Sequence, residues 1–339
     1  MVDNYHKRVL LAHGGGGRLM ANLIADKILP RFANETLQKL LDAATVHVGD
    51  ANVLFTTDSF VIKPLFFHGG DIGKLAVCGT VNDLAVAGAR PVALSLALII
   101  EEGFEMELLD RILDSAAHAA RAVGVAVVAG DTKVVERGAA DGIFITTAGI
   151  GERIADLSTD AIEAGDVIII NGTIGDHGMA VMSQRKGIEF DTPIQSDCAA
   201  LSPLTCAVLE AVDGVRFMRD ATRGGVAAVL NEIAAAARRD IEITQTKLPV
   251  NAPVQAAADT LGFDLLDIAN EGKVIMVLAQ ESADAALKVC TNHELGRDAA
   301  IIGRMLESAG PDAIVEMVTA IGGRRVVQMP YGRELPRIC

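Results

Sequence analysis

The chain ends in a thiol. Cys339 closes the segment Pro330-Tyr331-Gly332-Arg333-Glu334-Leu335-Pro336-Arg337-Ile338-Cys339, and no residue follows it to pack around it. Each proline fixes its own φ and restricts the residue before it, so the segment is biased toward stiff, extended backbone. Gly322 and Gly323 upstream supply a hinge. Fully extended, the ten residues reach ~33 Å. These features describe a nucleophile on an arm that visits a site and leaves it. A frayed terminus that merely tolerates a cysteine is the alternative, and the rest of the chain has to decide between them.

Carboxylates in apolar surroundings are the second chemical signal. The run from Lys74 to Ala87 is apolar on nearly every helical face and is interrupted by Asn82 and Asp83, so a buried helix carries an ionisable group in its middle. Burying a carboxylate is costly unless a cation or several donors meet it, which favours a metal or catalytic role for Asp83. Asp58 closes an apolar strand, Asp50 precedes the same strand, and Asp131 closes the strand ending at Ala129. Strand ends are where ligands gather in α/β folds, and hard oxygen donors of this kind suit Mg²⁺. Taken singly, each aspartate is also an ordinary turn residue.

Arg219-Asp220-Ala221-Thr222-Arg223-Gly224-Gly225 directly precedes an apolar helical run. Asp220 or Thr222 as N-cap is the structural reading; paired arginines and glycines at a helix start make an anion site the functional one. Asn270-Glu271-Gly272-Lys273 sets a carboxylate beside an apolar strand, and Asp176-His177-Gly178 opens another helix. Either can be capping alone. Two nucleotide motifs are excluded. The run His13-Gly14-Gly15-Gly16-Gly17 has Leu19 where a dinucleotide fingerprint needs its third glycine. Gly70-Asp71-Ile72-Gly73-Lys74 has the wrong spacing for a phosphate-binding loop, and Leu75 follows its lysine.

The elements that must position these groups alternate. Strands are expected at Val9–Ala12, Val53–Thr57, Pro91–Ile100, Val125–Ala129 and Ile143–Ile150, with helices at Leu19–Leu29 and Glu105–Val123. Beyond a more polar stretch, Gly151–Gly165, where a domain boundary is expected, come the strands Asp166–Asn171, Lys273–Leu278 and Ala313–Val318. Helices are expected there at Met179–Lys186, Leu201–Val212 and Gly224–Arg238. The fold class is α/β (α+β), and irregular alternation predicts mixed sheets. At 339 residues, half of them hydrophobic, the chain has material for two cores.

The formal charge of −14 argues against nucleic acid or an anionic membrane as the main partner. Val92–Ile100, the longest apolar stretch, is too short to span a bilayer, and Met1–Arg8 lacks the apolar core of a signal peptide. The five cysteines, Cys78, Cys198, Cys206, Cys290 and Cys339, form no metal-ligand spacing and suit free thiols in a reducing cytoplasm. The first four read as small core residues.

Thr56-Thr57-Asp58, the stretch Val81-Asn82-Asp83-Leu84-Ala85-Val86-Ala87-Gly88-Ala89-Arg90-Pro91, Gly130-Asp131-Thr132-Lys133 and Arg219–Gly225 resemble the ATP-dependent superfamily of aminoimidazole ribonucleotide synthetase and selenophosphate synthetase, over the whole chain. The tail Pro336-Arg337-Ile338-Cys339 resembles the terminus of its hydrogenase-maturation branch. The resemblance implies a two-domain fold: an ATP-binding and dimerisation domain over 1–155, an α/β domain over 156–322, and a mobile tail over 323–339. It implies a homodimer joined through the N-terminal sheets. It also implies a carbamoyltransferase partner, HypF, that loads Cys339, ATP-dependent dehydration of the S-carbamoyl group to a thiocyanate, and transfer of cyanide to a HypC–HypD iron scaffold for [NiFe]-hydrogenase. Asp58, Asn82, Asp83, Asp131, Arg223 and Gly224 are then expected at the nucleotide, and Asp50, Asp58, Asp83 and Asp220 at Mg²⁺. Lys133 and Glu271 are expected to do acid–base work beside Cys339. Two alternatives remain at this point: a small-molecule synthetase or kinase of the same superfamily, which leaves Cys339 without a purpose, and a non-enzymatic thiol carrier.

Overall fold

The computed structural model describes residues 8–32, 34–49, 51–188, 194–332 and 337–339. It opens with helices α1 (Arg18–Leu23) and α2 (Leu29–Phe32), joined by one wider turn over Ile24–Ile28. Strands β1 (Ala44–Val48) and β2 (Ala51–Phe60) follow, then a short hairpin of β3 (Phe66–Phe67) and β4 (Gly70–Asp71). Helix α3 (Ile72–Val86), strand β5 (Ala89–Glu101), helix α4 (Met106–Ala122) and strands β6 (Ala126–Val135) and β7 (Ile143–Arg153) complete this half. Its sheet has the order β1-β2-β7-β5-β6, with only β5 and β6 parallel.

The second half comprises β8 (Val167–Ile170), α5 (Asp176–Lys186), α6 (Ser202–Ala211), β9 (Val215–Asp220), α7 (Gly225–Ala237) and β10 (Asp240–Thr244). After these come α8 (Ala252–Leu261), β11 (Val274–Leu278), α9 (Ala283–Thr291), β12 (Ala300–Leu306), β13 (Val315–Val318) and β14 (Arg324–Val326). Its seven strands run in the order β14-β13-β10-β12-β8-β11-β9, with β10 and β13 the parallel pair. β8 and β11 are buried along their whole length, which is why both read as continuous apolar runs rather than alternating ones.

Helix α3 is the keystone. All its residues except Lys74 and Asp83 are buried, because it packs on α4, β2, β5 and β7 on one side and on α6 and β9 on the other. Asp71 caps its start, accepting from the amides of Gly73 (2.7 Å) and Lys74 (3.1 Å). That accounts for the Gly70–Lys74 sequence without any phosphate. The period of two in β2 puts Leu54, Thr56, Asp58 and Phe60 on one face of the strand, and Asp58 and Phe60 both approach Gly79 of α3.

Four sequence expectations are corrected. Val9–Ala12 is not a strand: Leu11–Gly14 forms a tight 3-10 turn, and Val9 and Leu11 are exposed with no sheet to join. Asp131 does not close a strand, because β6 continues to Val135; nor does Asp58, which lies inside β2. Neither Asp220 nor Thr222 caps α7; Asp220 ends β9 and the N-cap is Gly224, at φ +80. The residues 323–339 are not all tail. Arg324–Val326 is β14, paired with β13, and Gly322-Gly323 makes the turn between them, closed by the Thr319 amide on the Gly323 carbonyl at 2.8 Å. No helix among the described residues is long and apolar enough to cross a membrane.

Candidate active site

Three carboxylates from distant parts of the chain converge. Oxygen atoms of Asp42, Asp83 and Asp220 all lie within 4.8 Å of one another. Asp42 comes from the segment before β1, Asp83 from the last turn of α3, and Asp220 from the end of β9. An aspartate in a helix's last turn faces the negative end of the macrodipole, so helix stability does not account for Asp83. Thr56 Oγ1 binds two of the three segments together, at 2.8 Å from Asp83 Oδ2 and 2.7 Å from the Asp42 carbonyl. Arg219 stands behind them, 3.4 Å from Asp42 and 3.1 Å from Glu232.

Burial dominates the electrostatics. It raises the Asp83 pKa well above the ordinary carboxylate value, and the charges of Asp220, Asp42 and Asp58 push it further. Asp220 is pushed up to about 8 by burial and by Asp42, against Arg219. Asp42 and Asp58 are raised by the same loss of solvation, opposed by Arg219 and Arg223 respectively. Crowded hard oxygen donors short of positive charge are what a divalent cation would neutralise. Asp42, Asp83 and Asp220 therefore fit a Mg²⁺ site, with Asp58 beside them. Asp50 lies outside the described residues.

Glu271 completes the acidic side. It is 2% exposed, its Oε1 has no hydrogen-bond partner, and burial with Asp220, Asp197 and Asp58 raises its pKa well above the ordinary value. Its backbone is clamped. The Asp197 carboxylate accepts from the amides of Glu271 (3.1 Å) and Gly272 (3.2 Å) and from Lys273 Nζ (2.9 Å). A side chain at Gly272 would run into the Asp197 carbonyl. Asn270 spans from the Gly175 amide (2.8 Å) to the Ala221 carbonyl (2.8 Å).

The C-terminus is docked in this neighbourhood. The Val61 amide donates to the terminal carboxylate of Cys339 (3.0 Å) and the Lys63 amide to the Arg337 carbonyl (3.4 Å). Arg337 holds Asp141 at 2.6 Å and the Val61 carbonyl at 2.9 Å, and Arg185 also donates to the Arg337 carbonyl. Ile338 is buried in the core at 1% exposure, and Cys339 is half-buried against it. Burial pushes the Cys339 thiol up to about 12, Arg223 pulls it back, and Glu271, Asp58 and Asp220 raise it. Farther up the tail, the Arg18 amide binds the Pro330 carbonyl at 2.9 Å, and side chains at Gly15 or Gly17 would strike the backbone of Gly332 or Pro330. At Gly16 a side chain would strike Arg223. The glycine run therefore serves as the surface on which the tail and Arg223 lie.

The remaining expected residues divide. Asn82 is fully engaged by protein: Nδ2 donates to the carbonyls of Ala199 (3.0 Å) and Glu271 (3.3 Å), and Oδ1 accepts from the Leu201 amide (2.7 Å). Gly224, at positive φ, brings Arg223 against Gly16 at the open start of α7. Asp131 and Lys133 pair with each other at 2.7 Å on exposed β6 and join none of these carboxylates among the described residues. Of the other cysteines, Cys78, Cys198 and Cys290 are buried and Cys206 half-buried, all as free thiols. Sequence reasoning missed Asp42, although Leu40-Leu41-Asp42-Ala43-Ala44 carries the same signal as Asp58, a lone carboxylate in an apolar run beside a strand. It also missed Asp197, whose role depends on chain neighbours 74 to 76 residues away.

Comparison with known proteins identifies the family. The AIR synthase related protein family matches with its N-terminal domain over residues 41–153 and its C-terminal domain over 163–316. A carbamoyl dehydratase HypE of Rhizobium leguminosarum bv. viciae is 49% identical over 341 residues, covering 100% of this chain and 97% of its own. A crystal structure of a HypE–HypF complex matches at 47% identity and TM-score 0.86, over 91% of this chain and 99% of that one. A HypE structure in complex with ATP matches at 43% identity and TM-score 0.83, over 98% and 100%. With its two mixed sheets, its carboxylate cluster and its docked terminal cysteine, this chain belongs to the HypE carbamoyl dehydratase family within the AIR synthase related proteins.

Proposed function

We infer that this protein dehydrates an S-carbamoyl group on its own Cys339 to a thiocyanate at the expense of ATP, for cyanide delivery in [NiFe]-hydrogenase maturation. The observation that carries this reading is the docking of the tail, with Cys339 bound to the Val61 amide at 3.0 Å just past the strand that carries Asp58, and Ile338 bound to His177 at 2.8 Å. A carrier that only presents its thiol to partners has no use for such an environment. A small-molecule synthetase has no use for the cysteine.

In the reaction, the carbamoyl oxygen attacks the γ-phosphorus of ATP and ADP leaves. The C–O bond then breaks with release of phosphate as the nitrogen gives up its two protons, leaving S–C≡N. Mg²⁺ held by Asp42, Asp83 and Asp220 would neutralise charge on the phosphate oxygens. Arg223 bears on the same region from the start of α7. Glu271 offers an unpartnered buried Oε1 to the carbamoyl N–H groups, and burial raises its pKa above the ordinary carboxylate value, which makes it a stronger proton acceptor than a solvated carboxylate. The tether makes the step intramolecular and replaces substrate capture by a local search.

The remaining expectations stand as proposals. Phe55, Ile99 and Ile150 are exposed on one face of the first sheet, and such an uncovered apolar face supports homodimerisation through that sheet. Lys133, on exposed β6, would reach a reaction centre only through such an assembly. Loading by HypF, unloading to HypC–HypD, and a cytoplasmic location, which the free cysteines suit, complete the reading.

The test is mass spectrometry of the C-terminal peptide after incubation with HypF, carbamoyl phosphate and Mg-ATP. The dehydratase predicts a carbamoyl adduct on Cys339 that loses one water only with hydrolysable ATP. An adduct that never loses water indicates the carrier; an unmodified Cys339 beside an active HypF indicates a small-molecule synthetase.

A further inference from the structure

His177 takes no part in the chemistry above, yet it touches the tail one residue from the reacting thiol. It is the second residue of α5, is 0% exposed, and stands edge-on to Phe67 with ring centroids 5.3 Å apart. Its two nitrogens face two partners: Nδ1 lies 2.8 Å from Ser196 Oγ, and Nε2 lies 2.8 Å from the Ile338 carbonyl. Ser196 is itself anchored, its amide donating to the His68 carbonyl at 2.8 Å and its Oγ accepting from the Cys198 amide at 3.1 Å.

We propose that His177, oriented by Ser196, is a positioning residue that latches the C-terminal tail at the Ile338 carbonyl and so aims Cys339. A carbonyl can only accept, so Nε2 must carry the hydrogen. In a neutral ring Nδ1 is then an acceptor and takes the Ser196 hydroxyl hydrogen, which selects the tautomer the tail requires. Burial keeps the ring neutral, lowering the His177 pKa against the opposing charge of Asp197. On either side, the Arg337 carbonyl takes the Lys63 amide and the Arg185 guanidinium, and the Cys339 terminal carboxylate takes the Val61 amide. The Ile338 carbonyl between them is met by a side chain, so one residue type decides whether the tail is held at that point. The latch rests on the docked tail itself; only its consequence for catalysis rests on the dehydratase reading.

The experiment separates the two. Full-length His177→Gln, His177→Asn and His177→Leu are compared by the rate at which iodoacetamide labels Cys339, read on the C-terminal peptide, and by thiocyanate formation from carbamoylated protein with Mg-ATP. Gln places an amide nitrogen near the position of Nε2, whereas Asn reaches only the position of Nδ1. The latch predicts labelling close to wild type in Gln and about tenfold faster or more in Asn and Leu, with thiocyanate formation slowed in the same two. Equal labelling in all four proteins overturns it. So does a Gln variant as exposed as Leu, with matching losses of thermal stability across the three, since that pattern reports only His177's place in the core. Absence of thiocyanate in the wild type overturns the dehydratase reading, while the labelling series still decides the latch.

Discussion

The side-chain amide of Asn82 donates to the backbone carbonyl of Glu271 at 3.3 Å. This bond ties the helix that carries Asp83 to the loop that carries Glu271 across 189 residues of sequence. The same side chain also binds Ala199 and Leu201 in the segment between α5 and α6. Asn82→Ala would leave three backbone groups of the second half, at Ala199, Leu201 and Glu271, without their bonds to α3. Urea denaturation should show a loss of about 1–3 kcal/mol, with thiocyanate formation falling as well. A variant of wild-type stability would mean that water replaces Asn82 and that the junction is looser than the structure describes.

Asp42 should matter as much as Asp83. Asp42→Asn and Asp83→Asn are each expected to lower Mg-dependent ATP turnover about a hundredfold or more, the scale of a metal's transition-state stabilisation. Both should also shrink the rise in melting temperature that Mg²⁺ gives wild type. In metal-free protein the same substitutions, or Asp220→Asn, remove one of several crowded buried charges and should raise the melting temperature. Full activity in Asp42→Asn would remove that residue from the metal site.

Glu271→Gln preserves shape and removes the proton acceptor. It should fold and bind ATP while slowing thiocyanate formation by about 10²–10⁴-fold, the usual worth of a positioned acid–base group. Calorimetric ATP binding and peptide mass spectrometry on the carbamoylated protein check the two halves separately.

Cys339 titrates differently when docked. Burial raises its pKa to about 12 from an ordinary 9.0, so the docked tail holds its proton more tightly than a free one. Docking is therefore fully favoured below the free thiol's pKa and weakens as pH rises from there through about 12. Near neutral pH, iodoacetamide should label Cys339 at least about tenfold more slowly than it labels a peptide of the tail sequence, because only the undocked thiol supplies thiolate. Equal rates would mean that the tail spends its time outside.

Lys133→Ala gives a sharper test of the proposed assembly than of the fold. Its ion pair with Asp131 is exposed, so the melting temperature should not change. A large loss of thiocyanate formation without a stability change is the outcome expected if a second protomer brings β6 to the reaction centre. Normal kinetics would leave Lys133 a surface residue.

Local physics made much of this protein readable before any coordinates. The apolar run from Leu75 to Ala87 could only be a buried helix, and a lone Asp83 within it could only be costly unless something met it. A terminal cysteine behind two prolines left a tethered nucleophile and a frayed end both open, and the resemblance of the remaining motifs decided between them. Period-two and period-3.6 patterns located strands such as β2, β5 and β7 and helices such as α4 and α7, since those depend on neighbours within a turn or a pleat, whereas β1, β9, β10 and β12 were not read from the sequence. Three-dimensional closure decided the rest. A hydroxyl on β2 ties the Asp42 segment to Asp83, and folding brings Asp220 beside them. Asp197 acts on a loop more than 70 residues away, and His177 acts on a carbonyl 161 residues away. The glycine run lacks the third glycine of a dinucleotide fingerprint and serves as a bed for the tail, a role the sequence did not show, because what a glycine makes room for is known only once its neighbour is in place. Gly322-Gly323 likewise read as a hinge and proved to be a hairpin turn once β14 found β13. Pairing, crowding of charge and the resting place of a tether are relations between distant segments, and only tertiary packing sets them.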